Sequence, residues 1–316
     1  MCTFNGGRFL RPQLDSIAAQ DRLPDELVLC DDGSSDSSVE VVRRFAQGAA
    51  FPIRLVVNQE KLGSTKNFEK AISLCQGEIV ALADQDDVWY PHKLKNIEKA
   101  FLASEEIVSV FSDADLIDQD SQPLPGGLWA SFSFNLAKQR QFGKGDALNV
   151  LVRHPVVTGS TLAFQKEFFH LLTPIPTDEI HDRWIAFMLA ACGRFQIIPT
   201  PLMQYRRHDR QQVGLPPRIH RERMARAKTK GKNSYIEEIN RFREIYGRLQ
   251  SRRSDFRYAE SALKKIEQKL SHLEHRAYLP GMKVARVPRV LFEILNGHYW
   301  RYSGGWISIA KDLMVR

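Results

Sequence analysis

The sequence predicts an α/β fold: a mostly parallel sheet flanked by helices, with a helical extension at the C-terminus. Three observations carry this expectation. Short apolar runs at residues 27–30, 53–57, 78–83 and 107–111 alternate with stretches of helical apolar spacing. This is the βα rhythm of a parallel sheet covered on both faces. Two of these runs end in clustered acids, Asp31/Asp32 and Asp84/Asp86/Asp87, at strand ends where open α/β sheets bind ligands. Charge also divides the chain. Residues 1–215 carry 22 Lys+Arg against 27 Asp+Glu, a net of −5, and residues 216–316 carry 23 against 10, a net of +13. We therefore expect a ligand-binding domain over 1–215 and a basic helical extension over 216–316, the latter suited to an anionic partner.

Taken in order, the chain opens with a turn at Asn5-Gly6-Gly7. Leu10, Leu14, Ile17 and Ala18 then recur at helical spacing, with Pro12 near the first turn, and predict a helix to about Gln20. The strand at 27–30 runs into the loop 31–36, whose Asp and Ser residues suit a helix start before Val39, Val42 and Phe45. After the strand at 53–57, Gly63-Ser64 leads into a helix with Phe68, Ala71, Ile72 and Cys75 on one face. The strand at 78–83 ends in the acidic cluster and is followed by a helix over about 92–103 and the strand at 107–111. The pattern then changes. A third acidic segment (112–118) precedes a Pro/Gly/aromatic loop (123–134), and residues 156–164 read as a strand. His181-Asp182-Arg183-Trp184 opens an apolar helix that Gly193 ends. Residues 195–198 form a closing strand and 205–209 a basic loop.

The last third reads as helices. Ile236, Ile239, Phe242, Tyr246 and Leu249 form one stripe, and Leu263, Ile266, Leu270 and Leu273 another, as in a hairpin packed on itself or on the first domain. Beyond it, Tyr278, Phe292, Tyr299, Trp300, Tyr302 and Trp306 alternate with Lys283, Arg286, Arg289, Arg301 and Lys311. That mixture suits an anionic membrane surface, nucleic acid, or ordinary docking onto the core. No run of about 18 apolar residues reads as a spanning helix, and the N-terminus has no signal-peptide core. The four scattered cysteines (Cys2, Cys30, Cys75, Cys192) lack metal-ligand spacing and suggest reduced cytosolic thiols.

The acidic cluster after residue 83 is the chemical centre of this reading. Hard divalent cations take oxygen ligands, and Mg²⁺ or Mn²⁺ is held by one or two carboxylates together with substrate phosphates. Alone, the cluster also reads as a solvated acidic turn. Two acidic strand ends on one sheet edge favour a site, because like charges need a compensating cation or donor.

Thr3-Phe4-Asn5-Gly6, Asp31-Asp32-Gly33-Ser34-Ser35-Asp36, Leu62-Gly63 with Asn67-Phe68, Ala83-Asp84-Gln85-Asp86-Asp87-Val88-Trp89 and His181-Asp182-Arg183-Trp184 occur in that order. With Tyr205-Arg206-Arg207-His208, they make residues 2–214 resemble the inverting family 2 glycosyltransferases of the GT-A (Rossmann-like) fold, most closely the bacterial rhamnosyltransferase-like members. The resemblance implies that Cys2 and Phe4 line the nucleotide-base pocket and that Asp32 accepts a hydrogen bond from the base. It puts Lys66 near the diphosphate, Asp86 near ribose or metal, Asp87 as the direct metal ligand and His208 near diphosphate or metal. Asp182 matches the catalytic base, with His181 as its rival. The cofactor implied is Mn²⁺ or Mg²⁺.

The implied reaction moves a sugar from a nucleotide-diphosphate donor, dTDP-L-rhamnose, to a polysaccharide or lipid-linked glycan, with inversion. The implied location is cytoplasmic, peripheral at the inner face of the plasma membrane, and no nucleic-acid partner is expected. The family's full hydrophobic first strand is missing before Thr3, so the sheet should lack a central member and the base pocket its floor. Two rivals stand beside this reading. A nucleotidyltransferase would show an early Gly-rich basic phosphate loop, which the chain lacks. A non-enzymatic protein would bind nucleic acid or membrane through its basic third.

Overall fold

The computed structural model describes residues 1–209, 211 and 232–314. The expected boundary at 215/216 lies outside them. The first elements are β1 (Cys2–Thr3), α1 (Gly7–Ala18), β2 (Leu27–Asp31), α2 (Ser38–Ala46), β3 (Ile53–Val57) and α3 (Ser64–Leu74). Strands β1, β2 and β3 form a parallel sheet in that order. All five residues of β2 are buried, as a strand covered on both faces requires. The apolar stripe of α1 supplies that cover: Leu10, Leu14 and Ile17 pack with Leu27, Leu29, Val42 and Phe45 in one core cluster.

The second sheet contains β4 (Ile79–Ala81), β5 (Val88–Trp89), β6 (Ile107–Ile117), β7 (Pro123–Gly127), β8 (Leu162–Gln165) and β9 (Arg194–Arg206), with α4 (Lys93–Leu102) between β5 and β6. Its order is β4-β8-β6-β9-β5, with β7 on β6. The α/β class stands, but the parallel expectation needs correcting from β4 onward. Only β6 and β9 are parallel, and β4/β8, β6/β8, β5/β9 and β6/β7 are antiparallel. The short helices α5 (Leu128–Ser131), α6 (Leu136–Gly143) and α7 (Ala147–Leu151) separate β7 from β8. Such an irregular connection is free of the βα crossover that enforces parallel pairing. Between β4 and the start of β2 lies a groove of about 440 Å³, lined by Met1, Leu27, Val28, Phe68, Ile72 and Leu82.

The third acidic segment belongs to a strand. β6 continues through it, with Asp113 accepting the N–H of Trp129 at 2.9 Å and Asp115 accepting the Tyr90 hydroxyl at 2.7 Å. Beneath β6, Phe111 meets Trp129, Phe134, Phe142 and Phe195 at ring separations of 5.2–6.3 Å. After α8 (Phe169–Leu172), α9 (His181–Cys192) runs through the same core. Its Trp184 is fully buried, and the indole N–H donates to the Leu172 carbonyl at 2.7 Å.

The extension comprises α10 (Lys232–Ser251), α11 (Ala259–Ala277), α12 (Lys283–Leu295), α13 (His298–Tyr302) and α14 (Trp306–Met314). As expected, α10 and α11 form a hairpin that packs on itself and on the first domain. Ile239, Phe242, Leu249, Ile266 and Leu273 join the core cluster of α9, and Phe242 meets Phe187 edge-on at 5.9 Å. The tail is only partly the surface its composition suggested. Tyr299, Tyr302 and Arg286 are buried, with Arg286 donating to three backbone carbonyls. Among the described residues no helix is long and apolar enough to cross a membrane.

Candidate active site

A cleft of about 640 Å³ gathers residues from β1, the β2 end, α3, the β4 end, α9 and the β9 end. The fold does this by letting each strand stop at the same place and handing the chain to a loop. Cys2, Phe4, Asp32, Lys66, Asp84, Asp86, Asp182 and His208 all line this cleft. Asp87 does not.

On the donor side, Asp32 is tied into the scaffold. Its Oδ1 accepts the Leu62 N–H at 2.7 Å and the Asn58 amide at 2.9 Å, and its Oδ2 accepts the Gly63 N–H at 2.8 Å. Asp31 likewise receives Thr3 and Ser34. These acids shape the loops that frame the cleft. Cys2 is buried, and burial holds its thiol well above the usual range. Phe4 is 39% exposed, with the Lys61 ammonium 3.6 Å from its ring centre, a cation–π contact. Lys66 Nζ pairs with Glu69 at 2.9 Å.

The acidic turn divides its work. The Asp86 Oδ2 lies 2.7 Å from His208 Nε2. Burial, followed by the charges of Asp86 and Asp182, pushes Asp84 up to about 7. Asp87 is 1% exposed. Its Oδ1 accepts the Arg206 backbone N–H at 3.0 Å, while Oδ2 has no hydrogen-bond partner. Burial first, then Asp86 and Asp84, raise its carboxyl well above the usual range. Three mutually repelling carboxylates beside an imidazole have the oxygen-rich donor character of a divalent-cation site. Asp84, Asp86 and His208 line the cleft, and Asp87 stands behind them.

Four contributors were not singled out for roles in the sequence reading. Gln85 clamps the backbone of Phe4, accepting its N–H at 2.9 Å and donating to its carbonyl at 3.2 Å. Arg206 donates to the Asp86 and Asp118 carbonyls and to Ser121. Both lie inside stretches that the motif reading had flagged. Lys93 lies behind the cluster, 1% exposed, with burial pulling it down to about 7 against the opposing pull of Asp87 and Asp84. Glu179 pairs with Arg241 of α10, and its carbonyl accepts the Thr65 hydroxyl at 2.6 Å. The sequence gives no signal for these last two.

Asp182 sits in the first turn of α9, and one carboxylate oxygen accepts the Gly159 N–H at 3.0 Å. His181 stacks on Phe68 with ring centres 4.0 Å apart. It is buried, Nε2 has no hydrogen-bond partner, and burial lowers its basicity. A base should be accessible and readily protonated, and His181 is held away from both conditions.

The model of the "Glycosyl transferase family 2" family matches residues 1–169. An uncharacterized glycosyltransferase of Nostoc sp., alr2836, is 28% identical over 214 residues, 65% of this chain and 62% of that protein. The match thus spans less than two thirds of that relative's length. The dTDP-rhamnosyl transferase RfbG of Shigella flexneri is 24% identical over 221 residues, covering 68% of this chain and 73% of that protein. Among solved structures, the mannosyltransferase PcManGT of Pyrobaculum calidifontis, in complex with GDP-Man and Mn²⁺, overlays 99% of this chain and 83% of its own. The TM-score is 0.50 and the identity 18%, a likeness of fold. With more than half of its residues matched by the family model, the chain belongs to glycosyl transferase family 2.

Proposed function

We propose that this protein is a metal-dependent inverting glycosyltransferase that uses a nucleotide-diphosphate sugar. The observation that carries the reading is the convergence, in one cleft, of Asp86 and His208 on one side and Asp182 on the other. Asp86 and His208 would hold Mn²⁺ or Mg²⁺, which when bound neutralises charge on the diphosphate. Asp87, shut behind them, fixes the Arg206 backbone and hence the end of β9 that carries His208. Asp182 takes the acceptor hydroxyl proton as that oxygen forms its bond to the sugar's anomeric carbon. The bond to the diphosphate breaks on the opposite face, and the nucleoside diphosphate leaves with the electron pair. One displacement gives inversion. The Gly159 N–H orients the Asp182 carboxylate, and Lys61 over Phe4 supports the rim that would receive the base.

The resemblance of the motifs to rhamnosyltransferase-like members and the RfbG relative favour dTDP-L-rhamnose as donor. A glycan or lipid-linked acceptor fits the outer surface of the extension. Val284, Leu291 and Leu295 of α12 and Trp306 of α14 are 83%, 50%, 85% and 69% exposed. Exposed Lys283, Arg289 and Arg301 stand among them. An apolar face rimmed by cations suits an anionic bilayer surface. The test is a panel of nucleotide sugars with Mn²⁺, read as release of nucleoside diphosphate. Release from dTDP-rhamnose, abolished by chelation and by Asp86→Asn, is the expected result; no metal-dependent release from any donor would sink the reading.

A further inference from the structure

The extension contains a cluster that the reaction does not use. His272 and His275 lie one turn apart on α11, Glu293 near the end of α12, and His298 at the start of α13. The Glu293 Oε2 faces Nδ1 of His272 and, at 3.1 Å, Nδ1 of His298, while its Oε1 faces Nδ1 of His275 at 2.7 Å. His272 and Glu293 are 0% and 1% exposed. One ligand atom from each of His272, Glu293 and His298 lies within 4.8 Å of the other two.

We propose that His272, Glu293 and His298 form a transition-metal site, suited to Zn²⁺, that fastens α12 and α13 to α11. His275 or a water completes the coordination.

The geometry supports this. The Nδ1 atoms of His272 and His298 both converge on the single Oε2 of Glu293, as donors around a shared ion do. The other ring nitrogen of His272, Nε2, lies 3.0 Å from the Ser303 hydroxyl oxygen. The Ser303 contact is also the outer hydrogen bond that metal-bound histidines make. The permanent cations nearby have partners of their own: Lys269 pairs with Glu238, and Arg276 with Asp312. The 3.1 Å between His298 Nδ1 and Glu293 is close to the edge of a tetrahedron around an ion with bonds of about 2.0–2.1 Å. The contact of His272 with Glu293 is shorter, so an ion would have to widen that gap on binding. Imidazole-rich donors favour Zn²⁺ over Mg²⁺ or Mn²⁺, the reverse of the oxygen-rich cleft.

The test is Zn²⁺ titration of chelator-stripped, untagged full-length protein against a competing chromophoric chelator, with Co²⁺ as the spectroscopic probe. We expect one Zn²⁺ per chain, the intense visible bands of tetrahedral Co²⁺, and a higher thermal midpoint with Zn²⁺. His298→Gln changes the more exposed ligand and should weaken Zn²⁺ binding at least ~10-fold. Asp86→Asn, which alters the cleft, should leave the Zn²⁺ count unchanged. If His298→Gln does not fold, the wild-type Co²⁺ spectrum decides. Absence of tetrahedral bands, or Zn²⁺ binding retained by the His272→Gln/His298→Gln pair, would overturn the proposal and leave a proton-sharing network only.

Discussion

The cleft and the extension treat buried charge in opposite ways. In the extension, buried acids meet partners on neighbouring helices: Asp312 takes a two-point contact from Arg276 and the Tyr299 hydroxyl at 2.8 Å. Part of its apolar surface, in contrast, stands in water, at Val284 and Leu295 of α12 and Trp306 of α14. In the cleft, Asp84, Asp86 and Asp87 repel one another. A region with surplus like charge is built for a charged ligand. A region with its charges matched inside and its hydrophobes outside is built for an apolar surface. On the proposed function, a nucleotide sugar completes the first and a bilayer surface the second.

Each side of that contrast can be attacked separately, and the largest effect is expected in the cleft. Asp182→Asn should cut turnover by about 10²–10⁴-fold while leaving donor-induced thermal stabilisation in place. Turnover within a few-fold of wild type would return the base to His181. Next, Arg276→Ala leaves Asp312 buried with a hydroxyl in place of its ion partner and should cost about 3 kcal/mol in chemical denaturation. A cost below ~0.5 kcal/mol would mean that internal matching does not hold the extension. Leu295→Asp on the exposed face should barely move stability. It should reduce partitioning onto anionic vesicles about tenfold, since one buried leucine contributes roughly 1.5–3 kcal/mol. Undiminished vesicle binding, or stronger binding to DNA, would break the assignment of that face.

The smallest effect is a pH dependence. Burial, then the charges of Lys138, Arg153 and Lys269, hold His154 down at about 3. The unfolded chain takes up this proton near pH 6.5 and the folded chain does not. Its contribution is therefore complete above about pH 6.5 and declines as pH falls toward 3. By pH 5 the loss is about 1–2 kcal/mol. Thermal midpoints measured from pH 7.5 to 5 should fall less in His154→Leu than in the wild type.

Sequence reading succeeded wherever local pattern and tertiary role coincide. The β2 run and its acidic end, α1 with its Leu10/Leu14/Ile17 stripe, and α9 opening at His181 are set by residues adjacent in the chain. It faltered where pairing is remote. The strand role of Asp113 and Asp115 was not legible because their partners, Trp129 and Tyr90, come from other elements. The antiparallel β4/β8 pair joins residues more than eighty positions apart. In the site, the motif residues were legible as a set, yet Asp86 and Asp87 differ only in which way each side chain turns. Spacing along a turn does not reveal that. Arg286 read as a surface cation because nothing local tells that three carbonyls await it.

Glu179 has one further consequence. Its side chain is held by Arg241 of α10 and its backbone by Thr65 of α3, three residues ahead of Asp182. It is a joint where three bodies meet: the helix beside the donor loops, the helix bearing the proposed base, and the hairpin that carries the tail. The hairpin thus reaches the opening of α9 through this ion pair as well as through the Phe242–Phe187 packing farther along the helix. Removing the ion pair with Arg241→Met, and comparing turnover with and without anionic vesicles, measures how much of any coupling it carries.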